Sequence, residues 1–252
     1  MKEHSTVPGS GPLADGAAVS DEAKVLNTLR QATMYRLLAT ALSYPSEETL
    51  ACIDTTAEQL AGGMREFAPL MERLCVCART SDPTSLAAEY LRIFERDSPC
   101  SPREGSWNLQ GAMSRPALLA DISGFYSAFG VGLGKVLGDT EDHLAAELEF
   151  LGFLALKLAY ALSTENDEGV AVVNRAIRAF WSDHVARFIL PFARALEETT
   201  REEFYRIVAR MLCVWAEQEC CRLGVTLQET AEQKPGGALE ADCFVCPFSE
   251  RP

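Results

Sequence analysis

The residues best suited to chemistry in this sequence form a short polar group, Asp142, His143 and Glu147. His143 and Glu147 are four residues apart, so they share one face if the segment is a helix. A histidine beside carboxylates could act as an acid/base pair, could recognise a cationic ligand, or could simply form a solvated, acidic helix start. The spacing leaves these three interpretations open, and no additional catalytic signature accompanies the group.

Cysteines near the C-terminus form the second chemically capable group. Cys243 and Cys246 are spaced as C-x-x-C, so their thiols could chelate one metal ion or form a redox pair. A single C-x-x-C supplies half of a tetrahedral site, and Zn²⁺ or an iron–sulfur cluster would need further ligands from Cys220, Cys221 or Cys100. A helical metal-binding redox or sensor protein therefore stands as the alternative function.

Charge and motif content argue against several other classes. The net charge of -13 over 252 residues disfavours a nucleic-acid binder and attraction to anionic lipid, and it favours a basic partner. The glycines lack P-loop spacing, and neither H-E-x-x-H nor paired E-x-x-H elements occur, which disfavours nucleotide, zincin and di-iron sites. No apolar run reaches about 18 residues and no secretory signal is recognisable, so we expect a cytoplasmic protein without stable membrane insertion.

The polar group lies at the start of the most strongly patterned apolar segment, residues 139–162, which we predict to be the central helix of a bundle. Asp139 and Asp142 place acidic groups where the first turn of a helix leaves free N–H groups. An apolar stripe then recurs at steps of four and three. Its members are Leu144, Leu148, Leu151, Ala155, Leu158 and Leu162.

Helical periodicity also fills most of residues 21–228, and no alternating strand pattern of useful length appears. We therefore predict an all-α fold, with a single helical-bundle domain of about eight or nine helices. Residues 1–20 are rich in Gly, Pro and Ser and are predicted to be a disordered tail. Residues 229–252 are predicted to be a C-terminal tail with the C-x-x-C, and Pro191 is expected to bend or divide a late helix.

One predicted helix and the loop after it are of special interest. The helix that begins at Asp82-Pro83 carries Tyr90 and Phe94 four residues apart, so one of its faces is aromatic. It leads into residues 95–113, which contain prolines, glycines and serines without any period. A bare connection of this length is unusual in a compact domain, and such loops are often functional.

Four short blocks occur in a recognisable order: EYLRIF at 89–94, FYSAFG at 125–130, DHLAAELEFL at 142–151 and HVARFILPFA at 184–193. In this order and spacing they resemble the TorD/DmsD/NarJ family, the cytoplasmic chaperones that mature molybdenum-containing redox enzymes. The loop between the first two blocks reads SPCSPREGS, where the usual version in the family is P-P-Y-E-S. The resemblance extends over about residues 26–223.

The resemblance implies a protein that is not an enzyme and requires no cofactor of its own. It implies binding of the twin-arginine signal peptide of a molybdoenzyme catalytic subunit, which is held from export until molybdopterin is inserted. Such a peptide presents adjacent arginines and then an apolar segment, so its receptor needs carboxylates beside a hydrophobic groove. A monomer and a domain-swapped dimer both remain open. The residues predicted to bind the peptide are Asp142, His143, Glu147, Glu89, Tyr90 and Phe94.

Overall fold

The computed structural model describes residues 20–95, 98–109, 111, 113–132 and 141–234. Within these residues the chain forms nine α-helices, two of which run on through a π-helical turn at Trp181–Val185, and a single two-residue strand pair. The helices are α1 Asp21–Ala41, α2 Glu47–Ala61, α3 Ala68–Thr80, α4 Pro83–Phe94, α5 Arg115–Ala128, α6 Leu144–Ser163, α7 Asp167–Phe180, α8 Ala186–Thr199 and α9 Glu203–Leu223. The prediction of an all-α fold with eight or nine helices is confirmed.

The core forms where the apolar faces of the helices meet. The long helix α6 packs most extensively against α1, while α8 packs on α9 and α2 packs on α3. Gly152 allows the approach of α6 to α1, because a Cβ atom there would lie 3.3 Å from Tyr35 Cβ and 3.4 Å from the Ala32 carbonyl oxygen. The predicted central helix is therefore buried against more than one neighbour.

Polar side chains begin several of the helices. The Asp82 carboxylate accepts hydrogen bonds from the amides of Thr84 and Ser85, and Pro83 occupies the first helical position of α4, as the sequence predicts. Ser46 and Asn166 cap α2 and α7 in the same way, each by accepting from an amide in the first turn. Local sequence signals thus set these helix starts.

The start of α6 differs from the predicted one. The helix begins at Leu144 rather than at Asp139, which lies outside the described residues. His143 is the cap, because its Nδ1 atom accepts a hydrogen bond from the Ala145 amide at 3.1 Å. The Leu144 amide donates to the Pro102 carbonyl oxygen at 2.8 Å, so a distant loop satisfies a donor that the sequence assigned to acidic side chains.

Pro191 does not divide its helix, so that part of the expectation is wrong. It lies inside α8, which is continuous from Ala186 to Thr199. The irregularity comes earlier, at the π-helical turn between α7 and α8, and it directs Trp181 and His184 into the interior. One proline costs a helix a single amide hydrogen bond, and the apolar face of α8 packs against α9 along its length.

Replacing Gly224 by alanine is expected to lower the free energy of unfolding by about 1 kcal/mol. Gly224 ends α9 in the left-handed region, with φ 62° and ψ 42°, and its amide donates to the carbonyl oxygens of Cys220 and Cys221. Gly62 is a matched control, because it has right-handed φ and ψ and open space where a Cβ would stand. Equal urea midpoints for the two alanine variants would contradict the prediction.

Candidate functional site

The long loop predicted to be functional is fastened to the start of α6. The Glu104 amide donates to the Asp142 carbonyl oxygen at 2.9 Å, and the Leu144 amide donates to Pro102 at 2.8 Å. The Gly105 amide donates to the Asp142 carboxylate at 3.1 Å. An isolated antiparallel β-bridge pairs the backbone of Arg103 with that of His143 between these hydrogen bonds. The described part of the loop, residues 98–109, therefore covers the polar group Asp142, His143 and Glu147.

Glu104 of this loop is a centre of buried charge. Its side chain is 1% exposed, and its Oε2 atom lies 3.0 Å from Nδ1 of His184, which is itself fully buried. Its Oε1 atom lies 3.6 Å from the Arg187 guanidinium. His184 Nε2 also faces the Asp121 carboxylate at 3.4 Å. The loop, α5 and the π-helical turn are thus joined through one histidine. We call Glu104, Asp142, His143, Glu147 and His184 the buried polar cluster.

Glu147 has a different environment from the other members. Both of its carboxyl oxygens are buried, and neither has a hydrogen-bond partner among the described residues. Burial raises the pKa of Glu147 well above its usual range, and the nearby Glu104 and Asp142 raise it further. Burial thus favours the protonated, neutral form of the Glu147 carboxyl group.

The structure thus places Asp142, His143 and Glu147 together, but beneath the loop rather than at the surface. All three side chains are buried. The interpretation of this group as a solvated helix start is therefore wrong. The group is buried because residues 102–105 pair with residues 142–144. The local sequence of either segment does not reveal this contact.

Glu89, the acidic residue of the EYLRIF block, makes its own set of contacts. Its carboxylate accepts from Nε and Nη2 of Arg92, each at 2.7 Å. It also accepts from the Arg201 amide at 2.6 Å and the Thr200 hydroxyl at 3.1 Å. The Arg92 guanidinium is the main cause that lowers the pKa of Glu89 to about 2. Glu89 therefore joins α4 to the connection between α8 and α9, with partners outside the buried polar cluster.

The aromatic face of α4 forms part of the core. Tyr90 and Phe94 are both buried, with ring centroids 5.1 Å apart, and Phe94 stacks on Phe192 of α8 at 6.1 Å. Tyr44 lies over Tyr90 at 5.5 Å and exposes 53% of its surface. The neighbouring Leu91 is 50% exposed. The surface next to Tyr90 is thus apolar, although Tyr90 and Phe94 lie beneath it.

The cysteines are free thiols wherever the structure describes them. Cys220 is buried and Cys221 is exposed on α9, and burial raises the pKa of Cys220 to about 11. Cys100 is buried in the loop, 3.6 Å from the Phe192 carbonyl oxygen. No group of three or more His, Cys, Asp or Glu within the described ranges is arranged to hold a metal ion. Cys243 and Cys246 lie outside those ranges, so the Zn²⁺ or iron–sulfur alternative stays a prediction.

A second buried polar chain starts at the π-helical turn. The Trp181 indole N–H donates to the Tyr35 hydroxyl at 2.8 Å, and that hydroxyl donates to Glu219 at 2.5 Å. Glu219 also pairs with Arg222 at 2.7 Å. Burial raises the pKa of Tyr35 well above its usual range, and Glu219 raises it further. The turn that carries His184 is thereby tied to two helices, α1 and α9.

The roles of Glu104, His184 and Arg187 are not evident from the local sequence. His184 reads as a lone histidine on an amphipathic helix, and Glu104 lies in a segment without periodicity. The long loop itself indicates such roles. An acidic side chain in that loop needs a polar or charged partner if the loop buries it.

The cavity that reaches Glu104 of the buried polar cluster is small. The cavity lined by Glu104, Gly105, Trp107 and Arg187 has a volume of about 20 Å³. This is room for about one water molecule, whereas ligand pockets enclose roughly 300–1,000 Å³. In this conformation Glu104 therefore holds protein segments together through His184 and Arg187.

Helix length and composition are informative about membranes. In the part of the chain that the structure covers, none of the helices combines the length and the apolar content needed to cross a bilayer.

The family described as nitrate reductase delta subunit matches residues 57–194, more than half of the chain, and the chain belongs to that family. The resemblance to the TorD and NarJ chaperones is thereby confirmed.

Curated relatives carry chaperone names. The perchlorate reductase assembly chaperone protein of Dechloromonas aromatica is 28% identical over 200 residues, 70% of this chain and 83% of that protein. The chlorate reductase assembly chaperone protein of Ideonella dechloratans is 31% identical over 155 residues, 60% of this chain and 76% of that protein. Chaperone protein TorD of Vibrio cholerae is 29% identical over 149 residues, 58% of this chain and 65% of that protein. These names are those of chaperones and support a protein that is not an enzyme.

A solved structure is also similar. A redox enzyme maturation protein of Archaeoglobus fulgidus superposes with a TM-score of 0.49 and 22% sequence identity, covering 74% of this chain and 93% of that one.

Proposed function

We propose that this chain is a cytoplasmic maturation chaperone for a molybdopterin-containing oxidoreductase. It binds the twin-arginine signal peptide of the apoenzyme and assists cofactor insertion before export, and it needs no cofactor of its own. Family membership and the names of the curated relatives support a chaperone of redox enzymes. The net charge of -13 suits a basic leader peptide.

The observation that supports peptide binding is that the buried carboxyl group of Glu147 has no hydrogen-bond partner among the described residues. A buried carboxyl group without a hydrogen-bond partner costs the folded chain roughly 1–3 kcal/mol. A guanidinium group presents a planar fork of donors that matches two carboxyl oxygens. Arginine of a leader peptide would therefore supply the partner that Glu147 lacks in this conformation.

Access to Glu147 requires the loop at residues 98–109 to move. The loop is held on α6 by the hydrogen bonds of Glu104, Gly105 and Leu144, and its Glu104 carboxylate holds His184. Opening it exposes Asp142 and Glu147 to the peptide, while His143 keeps the first turn of α6 in place as its cap. Binding and loop opening are then one coupled equilibrium.

The apolar part of the leader is assigned to the surface of α4. Tyr44 and Leu91 are about half exposed there, above the buried Tyr90 and Phe94. Glu89 holds α4 in position through its hydrogen bonds to Arg92 and to residues 200–201. An apolar segment that covers Tyr44 and Leu91 would gain hydrophobic burial, about 25 cal/mol for each Å² removed from water.

Binding of the leader peptide is expected to release protons. Burial raises the pKa of Glu147 and so favours its protonated form in the free protein, whereas pairing with arginine requires the ionised form. Titration calorimetry of the full chain at pH 7, in phosphate and in Tris, should show release of up to about one proton per peptide. Affinity should rise with pH for the same reason.

Two controls make this experiment decisive. A peptide with both arginines replaced by glutamine should bind more weakly and release no proton, and Glu147→Gln should bind the arginine peptide without proton release. Equal affinity for the two peptides would rule out twin-arginine recognition. Arginine-dependent binding with the same proton release in wild type and Glu147→Gln would move the contact away from Glu147.

A further inference from the structure

Residues 225–234 follow α9 and run back across the molecule; we call them the strap. The Gln228 amide donates to the Ala186 carbonyl oxygen at 3.0 Å, at the start of α8. The Arg194 guanidinium, two turns further along α8, donates to the Glu229 carbonyl oxygen at 2.8 Å. Leu227 is half-buried and packs against the core. These contacts anchor the first half of the strap to the bundle without using the loop at residues 98–109.

The second half of the strap is joined to that loop. Strand β2, Glu232–Gln233, pairs antiparallel with β1, Trp107–Asn108. The Gln233 side chain accepts from the Ser101 amide at 2.9 Å and donates to the Ser98 carbonyl oxygen at 2.6 Å. One glutamine side chain therefore holds the first turn of the loop through its backbone.

Lys234 holds the loop at a second place. Its amide donates to the Ser106 carbonyl oxygen at 2.8 Å, and its ammonium group donates to the Gly105 carbonyl oxygen at 2.8 Å. Residues 229–234, which the sequence assigned to a C-terminal tail, are therefore packed against the bundle and the loop.

The strap holds the loop on both sides of residues 102–105, the part that covers the buried polar cluster. Gln233 bonds to residues before this part, and Lys234 bonds at its end and just after it. On the opposite side, residues 102–105 are bonded to residues 142–144 at the start of α6. Movement of residues 102–105 away from α6 therefore breaks hydrogen bonds to the strap or pulls the strap off α8.

We infer that the strap is a latch that holds the loop at residues 98–109 closed over the buried polar cluster and thereby regulates access to Glu147. The inference rests on the proposed function, in which a ligand reaches Glu147 after the loop moves. Gln233 and Lys234 are positioning residues, because they contact the loop and act on the ligand only through it. The anchor on α8 lets the last residues of the strap release the loop while the rest stays bound to the bundle.

The latch links loop opening and affinity through one factor. A ligand that binds only the open form has an apparent Kd equal to its intrinsic Kd divided by the open fraction. A neutral hydrogen bond changes an equilibrium by a factor of roughly 2 to 12. Loss of the two bonds of Gln233 should therefore raise the open fraction roughly tenfold. While the closed form predominates, affinity should rise by the same factor.

The first measurement needs no ligand. Hydrogen exchange of the Glu104 and Gly105 amides, followed by NMR in the full chain, reports loop opening because both amides bond to Asp142 and neither bonds to Gln233. Gln233→Ala should exchange these two amides roughly tenfold faster than wild type, while the amides of α1 are unchanged. Lys234→Pro removes the amide and ammonium bonds of Lys234 and should act in the same direction.

Gln228→Ala is the matched control, because it makes the same substitution within the strap. The Gln228 side chain donates to the Thr230 carbonyl oxygen at 3.0 Å, so its bond stays inside the strap. This variant should exchange the Glu104 and Gly105 amides like wild type. An increase equal to that of Gln233→Ala would contradict the inference, as would unchanged exchange in both Gln233→Ala and Lys234→Pro.

The second measurement is titration calorimetry of the same variants with a synthetic peptide that has two adjacent arginines followed by an apolar run. Gln233→Ala should bind it more tightly than wild type, by the factor that exchange shows. Faster exchange with unchanged affinity overturns the regulatory role and leaves the proposed function standing. Absence of arginine-dependent binding to every variant overturns the proposed function, while faster exchange in Gln233→Ala still supports the latch on the loop.

Discussion

Replacing Glu104 by alanine is expected to lower the free energy of unfolding by about 3–5 kcal/mol, the usual cost of removing one partner from a buried ion pair. The Glu104 carboxylate lies 3.0 Å from His184 Nδ1 and 3.6 Å from the Arg187 guanidinium, and its side chain is 1% exposed. Alanine would leave both groups without this partner under the loop. Urea unfolding followed by circular dichroism measures the loss.

Glu95 provides the matched control for this prediction. Its carboxylate lies 3.9 Å from Arg103, and both side chains are partly exposed. Glu95→Ala is therefore expected to cost less than about 1 kcal/mol. Glu104→Gln should fall between the two, because the amide keeps the shape and one acceptor while losing the charge. Equal losses for Glu104→Ala and Glu95→Ala would show that Glu104 contributes no more than a surface ion pair.

The fold could be predicted because its signals are local. The apolar stripe of α6, the cap at Asp82 and the end of α9 at Gly224 each depend on residues within a few turns of one another. Helical periodicity reports directly which face meets the core. The all-α bundle therefore follows from patterns that a single sequence contains.

The candidate site could be predicted only in part, because its contacts are not local. Asp142, His143 and Glu147 were found from their spacing, but the loop that covers them is held by backbone hydrogen bonds to Pro102 and Glu104. Backbone donors and acceptors are the same in every residue type except proline, so they leave no pattern in the sequence. The pairing of Glu232–Gln233 with Trp107–Asn108 is hidden for the same reason.

The helix start at Leu144 shows how this limitation shifts a boundary. Acidic residues near position 139 match the preference for negative charge in a first turn. The chain satisfies the first-turn amides with His143 Nδ1 and the Pro102 carbonyl oxygen instead, and residues 141–143 stay outside the helix. A tertiary contact thus replaced a local cap, and the replacement brought Asp142 into reach of Gly105.

Replacing Glu147 by glutamine is expected to change how stability depends on pH. Burial raises the pKa of Glu147 in the folded chain, whereas in the unfolded chain it returns to its usual value of about 4.3. Between these two values the unfolded state loses a proton that the folded state keeps. Because the folded state then binds more protons, its stability falls as pH rises, by up to about 1.4 kcal/mol per pH unit.

Glutamine cannot titrate, so Glu147→Gln lacks this loss. The variant should differ from wild type at pH 4 only through its shape and hydrogen bonding, and it should gain on wild type by up to about 1.4 kcal/mol for each pH unit above pH 5. Urea unfolding of both proteins at intervals between pH 4 and pH 7 measures the difference, in which all other titrating groups cancel to first order. Glu217→Gln, at an exposed position of α9, should run parallel to wild type. Parallel profiles for Glu147→Gln as well would mean that Glu147 ionises normally in the folded chain, and a ligand guanidinium would then have no unpaired acid to satisfy.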